Sequence, residues 1–318
     1  MSRRRKRGKS RKKLVYGIIA VIFILLCFAT YSFLNQPNQT DETNGNQLSY
    51  EAAIVDHLSF RNQTKNETFK ESSISILEAA GFDVTYYPGE DITVNFYRTL
   101  ISHNNGLIVL RVHSAIIGNS TRLGLFSSEL FDESKYDTPS APYYDDIVNA
   151  KPQRIVKAYF PDDPTQYFAI SPEFVEKYGD FQNTTVIMMG CDGLKYSTMA
   201  EAFRRKGAKI CVGWDGLVST PHTDHATIGL LQHLTLGNTV DEAIENAMSE
   251  VGPEETYFQD QGYNSTLKYY PIAAGGYKIK NTLGISDIDI VETNTVLVKK
   301  RKELNQTSQR KLFVQRSF

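Results

Sequence analysis

Residues 186–194 read VIMMGCDGL. Four apolar side chains, Val186 to Met189, follow one another without a polar break, the pattern of a short strand buried on both faces. The run stops at Gly190, and Cys191, Asp192 and Gly193 come straight after it. Two readings of Cys191 are open. A free cysteine is among the most buried residue types and is commonly inert core. A strand that stops on a thiol can also deliver a nucleophile to the rim of a sheet.

Working outward, strand-like and helix-like segments alternate. EAAIVDHL (51–58) is a short apolar strand, and 66–80 has helical spacing with Phe69, Ile76, Leu77 and Ala80 on one face. FDVTYYPG (82–89) is a second strand, 90–103 a second helix, and 107–112 a third strand, almost wholly apolar. Residues 119–182 form a long excursion with hairpin-like stretches. After the 186–189 strand come a helix over 198–206, the strand AKICVGW (208–214), and helices over 224–236 and 240–249. Strands apolar on both faces that alternate with helices imply an α/β fold, a mostly parallel sheet with helices on both faces. Ligands in such sheets bind at the carboxyl ends of the strands.

Those ends carry Asp56 and His57, then His113 and Ser114, then Cys191 and Asp192, then Trp214 and Asp215. A thiol with an ordinary pKa near 8.5 is only slightly ionised at neutral pH, so a nucleophilic cysteine wants an imidazole or another positive influence nearby. His113 occupies the matching position at the end of its own strand. Gly190 and Gly193 flank the thiol and leave room for backbone N–H groups to reach an oxyanion. Asp192 argues the other way, because a carboxylate beside a thiol raises its pKa.

The two ends of the chain differ from its body. Nine of the first 13 residues are basic, and residues 14–34 are an uncharged apolar run long enough to cross about 30 Å of hydrocarbon. This reads as a basic cytoplasmic tail (1–13), a transmembrane signal anchor (14–34) in contact with the lipid bilayer, a polar linker (35–48), and a domain (49–278) on the outer side of a cell membrane. A cleaved signal peptide is the rival, but no small-x-small cleavage site follows the run. The polar, basic tail 279–318 reads as a solvated charge run. Seven Asn-x-Ser/Thr sequons lie beyond residue 34, and Asn62, Asn66 and Asn264 stand where glycans are expected. The acidic body argues against nucleic acid as a partner.

STPHTDHA (219–226) brings His222, Asp224 and His225 together, which invites a metal. No second cluster completes a site, and an Asp cap with exposed histidines explains it as well; no metal or cofactor is expected. Arg111, two residues before His113, shares its strand face and needs a carboxylate if buried, for which Asp56 is the choice. A Cys191–Cys211 disulfide has poor geometry, since one thiol lies inside its strand and the other past the end.

The order strand–His113, strand–Cys191, helix, then RRKGAKICVGWDG (204–216) and LTLGNTVDEAIENAM (234–248), resembles the caspase-like cysteine peptidase fold. The part after the cysteine is most similar to the clostripain, gingipain and CHAT types: a helix ending in KGA, a strand leading into Trp, and a G-x-T-V-x-E-A helix start. The resemblance implies that His113 is the general base and acid, that Cys191 is the nucleophile, and that no metal is needed for the chemistry, although some relatives use calcium. It implies oxyanion donors near Ser114, Gly190 and Gly193. It also makes Asp215, with Asp192 and Trp214, the candidate substrate-binding group, favouring Arg or Lys before the scissile bond. Two departures stand out. The family usually has glycine where Ser114 follows the histidine. His113 and Cys191 are 78 positions apart, against a caspase spacing of about 50, with the 119–182 insertion as a candidate lid or specificity flap.

The expectation is therefore a membrane-anchored, outward-facing cysteine endopeptidase acting on peptide or protein substrates, its caspase-like sheet preceded by a single transmembrane helix. A non-catalytic, peptidase-like ectodomain used in cell-surface binding or adhesion is the alternative, favoured by Ser114 and Asp192.

Overall fold

The alternation of the sequence is realised as two sheets. A computed structural model describes residues 49–160, 163–253 and 264–279, all within one unit of the chain, Leu48–Phe318. In chain order the elements are β1 (Glu51–Asp56), α1 (Glu67–Ala79), β2 (Asp83–Pro88), α2 (Val94–Leu100), β3 (Leu107–Arg111), β4 (Ser114–Ile116) and β5 (Leu123–Leu130). There follow β6 (Ile155–Phe160), β7 (Asp163–Ile170), α3 (Pro172–Tyr178), β8 (Thr185–Met188), α4 (Thr198–Arg205), β9 (Ile210–Trp214), α5 (Thr220–Thr235), α6 (Val240–Val251) and β10 (Leu267–Tyr270).

The larger sheet runs β10-β9-β8-β3-β1-β2, parallel except for β10, which pairs antiparallel with β9. Its central strands are buried at every position. Because side chains alternate between faces, they feed two cores. Ile108, Leu110, Val186 and Met188 pack with α2, α3 and α4, whereas Leu107, Val109, Ile187 and Val212 pack with α1, α5 and α6. Helices thus cover both faces, as expected. Local signals set their ends: Asn66 accepts from the Phe69 N–H to cap α1, and Thr239 with Glu242 forms a capping box on α6. The helix expected over 90–103 is shorter, because Thr93 caps α2 only there.

The excursion between β3 and β8 is a four-stranded antiparallel sheet, β4-β5-β7-β6. It starts at Ser114, directly after His113, not at residue 119. Leu123, Leu125, Ile155, Phe168 and Ile170 join the same core as Ile108 and Met188, so one face of this sheet is part of the buried body.

The transmembrane part of the expected fold class is corrected. Among the described residues no helix is long and apolar enough to cross a membrane. The 16-residue α5 spans only about 24 Å at 1.5 Å per residue and has Asp224 and three histidines in it. The fold is α/β with a mixed, mostly parallel sheet, and the single-pass location with an outward domain is not carried forward. Residues 14–34, on which that expectation rested, lie outside the described residues, as do 1–13, 35–48 and 280–318.

Candidate active site

The strand order reverses between β1 and β3: the chain moves outward from β1 to β2, then returns to the other side of β1 to place β3, β8 and β9. A crevice at the carboxyl ends of the strands forms at such a switch point. His57 follows β1 there, His113 follows β3, and Cys191 follows β8.

The register relates the last two. Leu110 of β3 is paired with Met188 of β8. His113 and Cys191 each lie three residues beyond that pair, on strands about 4.8 Å apart. Past the strands the segments stay joined, because Ser114 Oγ donates to the Cys191 carbonyl at 2.7 Å. Among the mostly buried residues around them, His113 and Cys191 both keep partial exposure. Cys191 and Cys211 form no disulfide. Cys211 is wholly buried on the opposite face of the sheet from Cys191, and burial pushes its thiol far above the usual range.

The His113 main chain is held from both sides. Its N–H donates to His57 Nδ1 at 3.4 Å, and its carbonyl accepts from the Phe126 N–H at 3.0 Å. The imidazole lies edge-on to Phe126 at 4.6 Å and beside Phe160 at 4.8 Å between ring centroids. Both phenylalanines belong to the second sheet, whose role at the site is to wall in this ring.

Cys191 begins a tight turn. Asp192 has φ +59°, a left-handed conformation that Asp tolerates better than most residues. Its N–H donates to Gly216 O at 2.8 Å, and Leu194 N–H donates to Trp214 O at 2.7 Å, which moors the turn to the end of β9. The Cys191 sulfur meets the Val218 backbone, with the N–H at 3.4 Å and the carbonyl at 3.5 Å. A side chain at Gly190 would fall onto Ser114 Oγ and Val112 O, so only glycine fits. Gly193 is packed against Met188 and Gly213.

The expected substrate-binding residues fare differently. Trp214 is wholly buried, and its indole N–H donates to Thr223 Oγ1 at 2.9 Å, which in turn donates to Met189 O at 2.8 Å. It serves the core, because its place inside the sheet leaves no face for substrate. Asp192 is buried and pairs with Lys195 at 3.3 Å. Asp215 is partly exposed, but its carboxylate accepts from Thr266 N–H at 2.8 Å and Thr266 Oγ1 at 3.2 Å and faces Lys268 at 3.6 Å. It is occupied in anchoring the approach to β10.

Arg111 is wholly buried and finds the expected Asp56, at 2.6 Å. It also reaches Asp224 through Nε and Nη2, at 2.7 and 2.8 Å, and Thr64 O at 2.7 Å. Asp224 therefore turns inward while His225 stays exposed, and His222 Nε2 lies 3.2 Å from Gly252 O. Among the described residues no group of three or more His, Cys, Asp or Glu converges as metal ligands would. Of the three asparagines where glycans are expected, Asn62 and Asn264 are exposed. Asn66 uses both ends of its amide internally, capping α1 and donating to Asp224 Oδ2 at 2.8 Å. A glycan on that nitrogen would disrupt the bond to Asp224, so Asn66 is a poor acceptor.

Nothing in the sequence assigns a role to His57, Val218 or the two phenylalanines. The Asp-His that ends β1 was visible as a strand end, but nothing local ties it to a histidine 56 positions away. No family model matches the chain, and no curated protein is similar enough to place it.

Proposed function

We propose that the chain is a caspase-like cysteine peptidase in which Cys191 attacks a peptide carbonyl and His113 shuttles the proton. The observation that carries this reading is the common offset of His113 and Cys191 from the paired Leu110 and Met188. It brings an imidazole and a thiol, both partly exposed, to adjacent strand ends beside the switch point. The imidazole takes the thiol proton, sulfur adds to the carbonyl, and His113 returns the proton to the leaving amine; water then releases the acyl group from sulfur. The backbone N–H groups of Gly193 and Ser114 are the candidates to hold the oxyanion, since those of Asp192 and Leu194 moor the turn.

A preference for Arg or Lys is not part of this reading, because the Asp215 carboxylate is already engaged by Thr266 and Lys268. A binding role without catalysis is the second reading. It is favoured by the Cys191 sulfur resting against both backbone groups of Val218. Incubation with a mixture of peptides, in wild type and Cys191→Ala, separates the two. Cleavage that vanishes in the variant supports the peptidase, and no cleavage by either protein supports the binding role.

A further inference from the structure

His57 takes no part in the bond-making steps above, yet it lies against the candidate base and is wholly buried. Its Nδ1 accepts the His113 main-chain N–H at 3.4 Å. An accepting Nδ1 requires a lone pair there, so the ring is neutral with its proton on Nε2. Nε2 is itself buried and makes no hydrogen bond of normal geometry, although the Ser127 backbone acts on the ring. The ring stacks nearly parallel to Phe160, with 6.2 Å between centroids, and lies 5.0 Å from Phe60. Leucine or phenylalanine would fill this aromatic pocket without burying a donor that is at best poorly satisfied, which is a costly arrangement. What the imidazole adds over an apolar side chain is the acceptor at Nδ1.

We infer that His57 is a positioning residue: its Nδ1 fixes the main chain of His113 at the end of β3 and so aims the imidazole at Cys191. The inference rests on the peptidase reading. The charged and titratable groups facing His57 are His113, on the segment after β3, and Arg61, on the turn after β1; Phe60, Phe126 and Phe160 supply the apolar neighbours. A cationic ring here would set donor against donor at the His113 N–H. Burial prevents this by holding the His57 pKa down to about 3. His57 therefore remains a neutral acceptor across the range in which the dyad would work.

The test is the rate of alkylation of Cys191 by iodoacetamide between pH 5 and 9, read by peptide mass spectrometry. It compares wild type with His113→Ala, His57→Leu, His57→Asn and His57→Gln. Asn places its amide oxygen close to the Nδ1 position, whereas Gln carries its polar end to the Nε2 side. Expected are a fast acid limb in wild type, its loss by at least tenfold in His113→Ala, and a comparable loss in His57→Leu and His57→Gln. His57→Asn should return to within about threefold of wild type. If His57→Leu does not fold, Asn against Gln carries the comparison. His57 variants that all match wild type, or an Asn variant as slow as Gln, would overturn the inference and leave the dyad standing. Identical profiles for wild type and His113→Ala would overturn the dyad and this inference together.

Discussion

The Ser114 hydroxyl donates to the Cys191 carbonyl at 2.7 Å, and that one bond ties the segment bearing the imidazole to the segment bearing the thiol. Its geometry depends on Gly190, which lets Ser114 and the Val112 carbonyl close onto the turn. Ser114 stands where the peptidases that the sequence resembles usually have glycine, and here its side chain has structural work of its own. Ser114→Ala should cost about 1 kcal/mol in urea unfolding, the worth of one ordinary hydrogen bond. Gly190→Ala should cost more than about 2 kcal/mol, as overpacking against backbone does. Adding Ser114→Ala to it should rescue only part of that loss, because the Val112 carbonyl cannot move away as a side chain can. Full rescue would contradict this packing.

The buried Arg111 gives a second expectation. Asp56 and Asp224 share its guanidinium, and Thr64 O accepts a further bond from Nη2. Removing one carboxylate from a buried network is strongly destabilising, so Asp224→Ala should lose about 3–5 kcal/mol by chemical denaturation. His225→Ala, one residue along on the exposed side of α5, should stay within about 0.5 kcal/mol. Similar losses for the two would show that Asp224 does not bear on the core.

These two sites show where the sequence was readable. Continuous apolar runs such as 107–110 and 186–189 announce a parallel sheet, so His113 and Cys191 could be placed at strand ends without coordinates. The pairing of Arg111 with Asp56 followed from strand periodicity and the cost of an unpaired buried charge. Asp224 did not, because the short run His222–Asp224–His225 looks like a ligand cluster until the helix rotation sends the acid inward. The second sheet is legible in the sequence only as hairpin-like stretches, because the pairing that joins its two hairpins, Leu125 with Ile170, is remote in sequence. The roles of Trp214 and Asp215 are hard to read from the sequence for a related reason. A strand end looks the same in sequence whether its side chain faces a cleft, the core, or a neighbouring strand such as β10.

His57 makes stability depend on acid. Its folded pKa, about 3, lies below the ordinary value of 6.5 because burial opposes the charged form. Between these values the unfolded chain binds a proton that the folded chain refuses, so acid favours unfolding. The contribution of His57 is fully present above about pH 6.5 and is lost as pH falls toward 3, with a limiting slope of about 1.4 kcal/mol per pH unit. Urea midpoints of wild type and His57→Asn should therefore converge or cross as the pH drops from 7 to 4. A constant gap between them would contradict a buried neutral imidazole.

Cys211 provides an internal control. It is wholly buried, and burial keeps its thiol protonated. Iodoacetamide should modify Cys191 and spare Cys211 under native conditions, with both reacting once urea unfolds the domain. Cys211→Ala should leave the reactivity of Cys191 within about twofold, since its thiol faces the other side of the sheet.

The most direct test of the central claim is covalent capture of Cys191 by a set of peptides bearing an acyloxymethyl ketone, followed by mass spectrometry. Such a warhead reacts when a positioned thiolate meets a peptide held at the site. The expected result is an adduct on Cys191 in wild type, none in Cys191→Ala, and a rate at least a hundredfold lower in His113→Ala. An equal rate of capture in wild type and His113→Ala, or adducts formed only at other residues, would contradict the dyad.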